Sequence, residues 1–361
     1  MENLVSPSIQ ALRPYQAGKA IEELARERGI SDIVKLASNE SPQGPSPKAL
    51  QAAQRALSEV HRYPDGAGFR LRDAIAKFLN IGVDEVVHGN GSNEIIELII
   101  RTFCTPEHHV VFGRPSFSMY PVVVAAHNCP GTAVPTNGDL VHDLDAMVAA
   151  VQPNTRVLLL DNPNNPTGSY VPRPALEKFL REVPPWVIVV LDEAYFEYAE
   201  NDDYPNGLEL RHLRERLIIL RTFSKAYGMA ALRVGFGVGP AELINYIHRL
   251  RAPFNVGGPS QEAAIAALED QEHLRGAVAQ NQQERARLFQ ALLPLARRVY
   301  PSQTNFVLAD MGRDAEALYD ALLDEGVIVR PLPGLPTFLR ISVGTSQETT
   351  RAIEALQKVL A

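Results

Sequence analysis

The sequence predicts an α/β protein. A large domain with a mostly parallel mixed sheet covered by helices is joined to a smaller α+β domain built from the N- and C-terminal segments. Three observations carry this. From Val86 to Gly239, short apolar runs alternate with helical patterns. Those runs are continuous rather than alternating, as in strands covered on both faces. Beyond Pro259, shorter strands and helices alternate again after one long helical stretch. The expected division is an N-terminal arm and part of the small domain over 1–45, the large domain over 46–255, and a linking helix with the small domain over 256–361.

Taken in order, Gly18 to Arg28 is helix-like, and the segment Ser38 to Pro47 is too rich in proline, glycine and asparagine to be regular. Proline suits a first helical turn, so a helix starts at Pro47 and runs to about Val60. A second spans Phe69 to Leu79. Strands follow at Val86–His88, Val110–Phe112, Val157–Leu160, Val187–Leu191, Leu217–Leu220 and Val234–Val238, with a helix at Asn93–Phe103 whose apolar residues share one side. The long helical stretch after Pro259 breaks near Glu272 and ends about Leu293. Then come strands at Thr304–Leu308, Val327–Arg330 and Phe338–Val343 and helices at Ala315–Leu323 and Gln347–Leu360.

The 361 residues allow a substantial core, and 45% hydrophobic with 21% charged residues is the composition of a soluble globular protein. A net charge of -7 argues against a general nucleic-acid or anionic-membrane surface. Two cysteines, Cys104 and Cys129, make neither a disulfide framework nor a zinc cluster. No basic-then-apolar leader and no bilayer-length apolar stretch is apparent, so a cytoplasmic protein is expected.

In parallel α/β sheets ligands sit at the carboxyl ends of the strands, and the reactive side chains fall there. Lys225 closes the run that begins at Leu217, after Ser224, and Arg233 follows just before a glycine-rich strand. Asp192 ends the run from Trp186, where a buried carboxylate needs a positive partner; the plainer alternative is a helix cap. An aldehyde cofactor needs a primary amine, its ring nitrogen needs a carboxylate, and its phosphate needs a cation and small hydroxyls. Lysine, aspartate, arginine and serine in this combination point to pyridoxal phosphate. Tyr195 shares the turn after Asp192. Asn162-Pro163-Asn164-Asn165-Pro166 makes a rigid loop that fixes the Asn165 amide at a strand end. Gly89 to Asn93 lies between a strand and a helix, where backbone N–H groups cradle phosphate, although many α/β folds carry such a loop. Phe117 is either a core aromatic or a platform for a flat ring.

Together these residues resemble the class I and II aminotransferases of pyridoxal-phosphate (PLP) fold type I, over nearly the whole length. The general marks are Asn164-Asn165-Pro166-Thr167-Gly168, Asp192-Glu193-Ala194-Tyr195, Ser224-Lys225 with Arg233, and Arg340. Leu12-Arg13-Pro14-Tyr15, Asn39-Glu40-Ser41-Pro42, Tyr63-Pro64-Asp65-Gly66 and Leu339 to Thr345 resemble the histidinol-phosphate branch. The resemblance implies that Lys225 joins the cofactor and shuttles the Cα proton, and that Asp192 binds the ring nitrogen. Asn165 and Tyr195 would contact the phenolic oxygen. Ser92, Asn93, Ser224 and Arg233 would hold the phosphate, and Phe117 would stack on the ring. Tyr63 would reach the phosphate of a neighbouring subunit, which implies a homodimer. Arg340, with Tyr15 and Arg330, would bind the substrates.

One pocket must then take both glutamate and an amino alcohol phosphate that lacks a carboxylate. Arginines offer the bidentate geometry that both anions accept. Two departures bear on the substrate: Gln43 stands where the family often has an aromatic, and Pro331 to Phe338 is compact. An aminotransferase for aromatic amino acids and a decarboxylase of an amino acid phosphate are the alternative activities. A PLP-sensing transcription regulator ranks far below, because the resemblance begins by about Leu12 and the net charge is negative.

Overall fold

The computed structural model describes residues 4–12 and 18–361. Strand β1 is Val34–Lys35. The central sheet uses β2 (Val86–Asn90), β3 (His109–Arg114), β4 (Gly131–Pro135), β5 (Thr155–Asp161), β6 (Ile188–Asp192), β7 (Leu217–Thr222) and β8 (Val234–Val238). The C-terminal part adds β9 (Arg298–Tyr300), β10 (Phe306–Asp310), β11 (Val327–Ile328), β12 (Arg330–Leu332) and β13 (Leu335–Ser342).

The seven-stranded sheet runs in the order β2-β8-β7-β6-β5-β3-β4. Neighbours from β7 across to β4 pair in parallel, whereas β8 is antiparallel to both β2 and β7. β5, β6, β7 and β8 are buried along nearly their full length, which is why their sequences are unbroken apolar runs. The direction of β8 matters for the site. Its first residue, Val234, pairs with Asn90 at the end of β2, and Gly235 pairs with Thr222 at the end of β7. Residues before β8 therefore meet residues after β2 and β7 at one edge of the sheet. Asp161 and Asp192, register partners at the ends of β5 and β6, lie along the same edge.

The helix at Pro47–Ala56 starts on a Ser46 cap that accepts from the Ala49 N–H at 3.1 Å, with Pro47 in the first turn. The helix Gly91–Phe103 begins two residues before its expected start and turns Ile95, Ile96, Ile99 and Ile100 into the core. The expected helix at Gly18 begins at Ile21, with Ala20 offering no side-chain cap. The long stretch after Pro259 divides into Gly258–Leu268 and Gln271–Leu292, so the break falls before Glu272.

The strand expected at Val327–Arg330 is two strands, because it has two partners. β11 pairs in parallel with β1, bringing the N-terminal segment into the C-terminal part; β12 pairs antiparallel with β13. A four-stranded sheet in the order β12-β13-β10-β9 results. Val34, Val307, Leu322, Leu339, Ile341 and Leu356 share one core there. β4 and β9 carry no continuous apolar run. β4 is an edge strand with a single buried residue and a terminal proline, and its identity comes from pairing with β3.

Candidate active site

Lys225 follows β7 and turns its amine toward the N-terminal segment. Nζ donates to the carbonyls of Ser38 (3.3 Å) and Asn39 (3.2 Å) and lies 5.7 Å from the centre of the Tyr195 ring. Burial, helped by the charge of Arg340, holds this amine down at about 8. A lysine in that range carries a larger unprotonated fraction near neutral pH than an ordinary lysine does.

Asp192 is buried at the end of β6. It accepts from the Tyr120 hydroxyl (3.1 Å) and the Ala194 N–H (3.2 Å), and no cationic side chain pairs with it among the described residues. Burial, then the charge of Asp161, pushes its carboxyl up to about 7. Asp161 accepts from the backbone N–H of Phe117 (3.2 Å) and of Asn165 (3.0 Å) through one oxygen, while the other meets His142 Nε2 at 2.9 Å. One carboxylate thus holds the loop of the expected ring platform and the loop of the expected amide in register.

The third group lies where β2, β7 and β8 converge. Arg233, in a left-handed conformation with φ 54°, donates to the Ser224 hydroxyl at 3.2 Å, and its carbonyl accepts from the Gly91 N–H. Ser92 and Asn93 occupy the first turn of the helix after β2. Two glycines keep this cup open. A Cβ on Gly91 would lie 2.4 Å from Arg233 Nη2, and one on Gly235 would lie 2.3 Å from the Ser92 nitrogen. Backbone N–H groups at a helix start, a hydroxyl and a guanidinium are the groups that suit an anion.

The fourth group is on the C-terminal sheet. The compact segment after Arg330 is a hairpin with Leu332 opposite Leu335 and Gly334 at φ 79°. That tight turn sets Arg330 directly opposite Arg340 in the antiparallel pair. Directly opposed residues share a face, where like charges repel, so the pair suits an anion between them. Arg340 donates to Asn165 Oδ1 (2.6 Å) and the Ala37 carbonyl (2.8 Å) and lies 5.2 Å over the Phe306 ring. Since Arg340 occupies Oδ1, the Asn165 amide nitrogen is the end left to donate.

The structure therefore brings together Lys225, Asp192, Tyr195, Asn165 and Arg340, and beside them Ser92, Asn93, Ser224 and Arg233. Phe117 is half-buried on the rim, edge-on to Tyr120 at 5.7 Å. Tyr63 stands apart from this cluster: it is 82% exposed and stacks on Phe254 at 4.6 Å. Its loop is tied back to the anion cup, since Arg251 donates to Gly66 O and to Asn255 Oδ1, and Asn255 donates to Glu94, each at 2.6 Å. Tyr15 lies outside the described residues.

Sequence reasoning assigned no site role to Asn39, Tyr120, Asp161, His142 or Ser342. Asn39 did leave a signal, being an asparagine in a turn-rich segment, the residue type that tolerates left-handed backbone. Tyr120 sits in an apolar run and gives no hint of its hydroxyl's partner.

The chain as a whole has known relatives. The chain matches the model described as "Aminotransferase class I and II" over residues 31–356 and belongs to that family. It is 46% identical over 362 residues to histidinol-phosphate aminotransferase 2 of Pseudomonas aeruginosa, a match covering 99% of this chain and 98% of the relative. To histidinol-phosphate aminotransferase of Akkermansia muciniphila it is 45% identical, with 100% and 99% covered. The crystal structure of histidinol-phosphate aminotransferase from Sinorhizobium meliloti in complex with pyridoxal-5'-phosphate superposes with a TM-score of 0.90 at 30% identity, covering 99% of this chain and 98% of that one. The architecture is that of PLP fold type I. No helix among the described residues is long and apolar enough to cross a membrane.

Proposed function

We propose that this protein moves an amino group between L-histidinol phosphate and 2-oxoglutarate, using pyridoxal 5'-phosphate, as a cytosolic homodimer. Near-full-length kinship with enzymes of that name carries the reading. The residues fit the cofactor on three counts: a buried carboxylate with no cation beside it among the described residues, a cup held open by glycines beside a guanidinium, and an amine at about 8. The domain division at 46–255 belongs to the same proposal, although the helix Gly258–Leu268 shares a core with residues of the large unit.

Bound there, pyridoxal phosphate supplies a ring that takes up the electron pair left when the substrate Cα loses its proton. The residues do the rest. Lys225 would carry the cofactor, and its amine would take the proton from the substrate Cα and pass it to the cofactor's aldehyde carbon. Asp192 accepts from the protonated ring nitrogen and keeps it charged. The Asn165 amide nitrogen and Tyr195 hydroxyl would donate to the phenolic oxygen, and Phe117 would stack on the ring. The Gly91–Phe103 helix start, with Ser92 and Asn93, holds the phosphate together with Ser224 and Arg233. Tyr63, exposed in one chain, reaches the partner subunit's cofactor phosphate. Arg340 grips glutamate's carboxylate or the larger substrate's phosphate, with Arg330 and Tyr15 assisting.

The test is a single half-reaction. PLP-loaded protein is mixed in turn with L-histidinol phosphate, glutamate, phenylalanine and threonine phosphate, and its visible absorbance is followed. Rapid loss of absorbance with the first two, far faster than with phenylalanine, is expected. Preference for phenylalanine would move the protein to a sister activity, and carbon dioxide release from threonine phosphate would make it a decarboxylase.

A further inference from the structure

Asn39 is buried, in a left-handed conformation with φ 54°, between the two halves of the site. Its backbone N–H donates to the Ser342 hydroxyl at 2.9 Å, and that hydroxyl donates to Asn39 Oδ1 at 2.9 Å. Nδ2 donates to the Tyr195 hydroxyl at 2.9 Å. The Asn39 carbonyl accepts from Lys225 Nζ (3.2 Å) and from Asn305 Nδ2 (3.0 Å). A side-chain amide can be turned either way, and its neighbours decide which end faces which. Here Ser342 decides. Its oxygen accepts from the Asn39 N–H and its one proton goes to Oδ1, the arrangement that leaves the NH2 end facing Tyr195.

A phenol has one proton and two lone pairs. A donor from Asn39 occupies a lone pair, so the Tyr195 proton points away from Asn39 and toward whatever lies on the other side. We propose that Asn39 is a positioning residue that makes the Tyr195 hydroxyl a hydrogen-bond donor toward the cofactor's phenolic oxygen, with Ser342 setting the polarity of the amide. This rests on the cofactor reading given above and adds to it the residue that orients Tyr195. The Asn39 amide also opposes the burial that raises the Tyr195 hydroxyl to about 12. The left-handed backbone has a physical use: it directs the carbonyl to Lys225 and the side chain to Tyr195 from one residue. Asparagine is among the few non-glycine residues that adopt it readily.

The same backbone makes the test clean. Glycine tolerates φ 54° without strain, so Asn39→Gly removes the amide while keeping the carbonyl that meets Lys225. The readout is the pH midpoint of the visible absorbance change of PLP-loaded protein, measured for the parent, Asn39→Gly, Tyr195→Phe and the double variant. A donor on the phenolic oxygen favours its anionic form and lowers the midpoint. Losing one hydrogen bond's worth of orientation should raise the midpoint by about half a unit to one unit. Turnover should fall roughly tenfold with a smaller change in KM for glutamate. In the Tyr195→Phe background, Asn39→Gly should add nothing, because the two act as one unit. Ser342→Ala, which frees the amide to turn over, should shift the midpoint in the same direction by less. An unchanged midpoint in a folded Asn39→Gly protein, or additive shifts in the double variant, would overturn the proposal. Absence of visible absorbance in the PLP-treated parent would instead overturn the cofactor reading on which it rests.

Discussion

Asp192 and Glu193 are consecutive residues at the end of β6, both are buried, and the chain treats them in opposite ways. Glu193 takes both the Nε–H (3.0 Å) and an Nη–H (2.9 Å) of Arg221, and accepts from the Gly207 N–H at 2.7 Å. Arg221 in turn lies 3.5 Å over the Phe196 ring and donates to Asn206. Every partner of this carboxylate is supplied from within the chain. Asp192 faces the other side of the strand and has a phenol and one backbone N–H, with no cation among the described residues. Burial raises both carboxyls; at Glu193 the arginine opposes it, and at Asp192 a second carboxylate adds to it. The chain thus gives one buried carboxylate a counter-ion and, among the described residues, gives none to the next, which is the one proposed above to meet the cofactor's ring nitrogen.

That contrast can be broken by experiment, and the largest effect belongs to the structural pair. Glu193→Ala leaves the buried Arg221 charge without its partner and should cost about 3–5 kcal/mol of unfolding free energy, read by chemical denaturation. The cofactor absorbance of the molecules that remain folded should be close to that of the parent. Asp192→Ala should do the reverse: near-parent stability, weaker PLP retention, and turnover lower by about 10²–10³-fold. Near-normal turnover in Asp192→Ala would remove the distinction between the two carboxylates.

A smaller effect is expected at Arg340, proposed above to grip the substrate's anionic group. Arg340→Ala should raise KM for glutamate by about ten- to a hundredfold, the scale of a charge-assisted hydrogen bond, and leave cofactor absorbance nearly unchanged. Saturation at the parent's glutamate concentration would count against its role as the carboxylate grip.

The smallest effect sharpens the comparison in the cofactor-free protein. Asp192 titrates near 7 when folded and near its ordinary 3.8 when unfolded. Between those values the folded state holds a proton that the unfolded state has released, so its contribution to stability declines as pH rises through that window and stays low above it. Asp192→Asn removes the penalty. Its Tm should exceed the parent's by about 2–5 °C at pH 8, and the gap should narrow toward pH 4. A gap independent of pH would mean that Asp192 is not the group responsible. Adding PLP to the parent should close the gap at pH 8 by supplying the missing cation.

Much of this site was legible residue by residue. Lys225, Asp192 and Asn165 each end a continuous apolar run or the turn after one, and a polar group in that position marks a strand's carboxyl end. What could not be read were the partners. Tyr120 lies in the apolar helix Met119–Ala126, where a tyrosine reads as core, and its contact with Asp192 spans 72 positions. His142, in the segment between β4 and the helix Leu144–Ala149, meets Asp161 at the far end of β5. Asn39 was visible as part of a turn, but its four hydrogen-bond partners come from four distant segments. β4 was invisible for a related reason: an edge strand with one buried residue has no run to read, and pairing alone defines it.

By itself, the sequence determined the alternation of elements, the rigid Asn-Pro loop, the residue types at the strand ends and the chemistry they suit. Those depend on hydrophobic period, proline and glycine backbone limits and side-chain functional groups, all local properties of the chain. Only the tertiary structure decided that β8 runs against its neighbours and so carries Arg233 to the helix start at Gly91. It also decided that a tight hairpin sets Arg330 against Arg340, and that Asn39 joins Lys225, Tyr195 and Ser342. Strand direction, register and the orientation of a side-chain amide arise from contacts between segments far apart in sequence, and no local pattern encodes them.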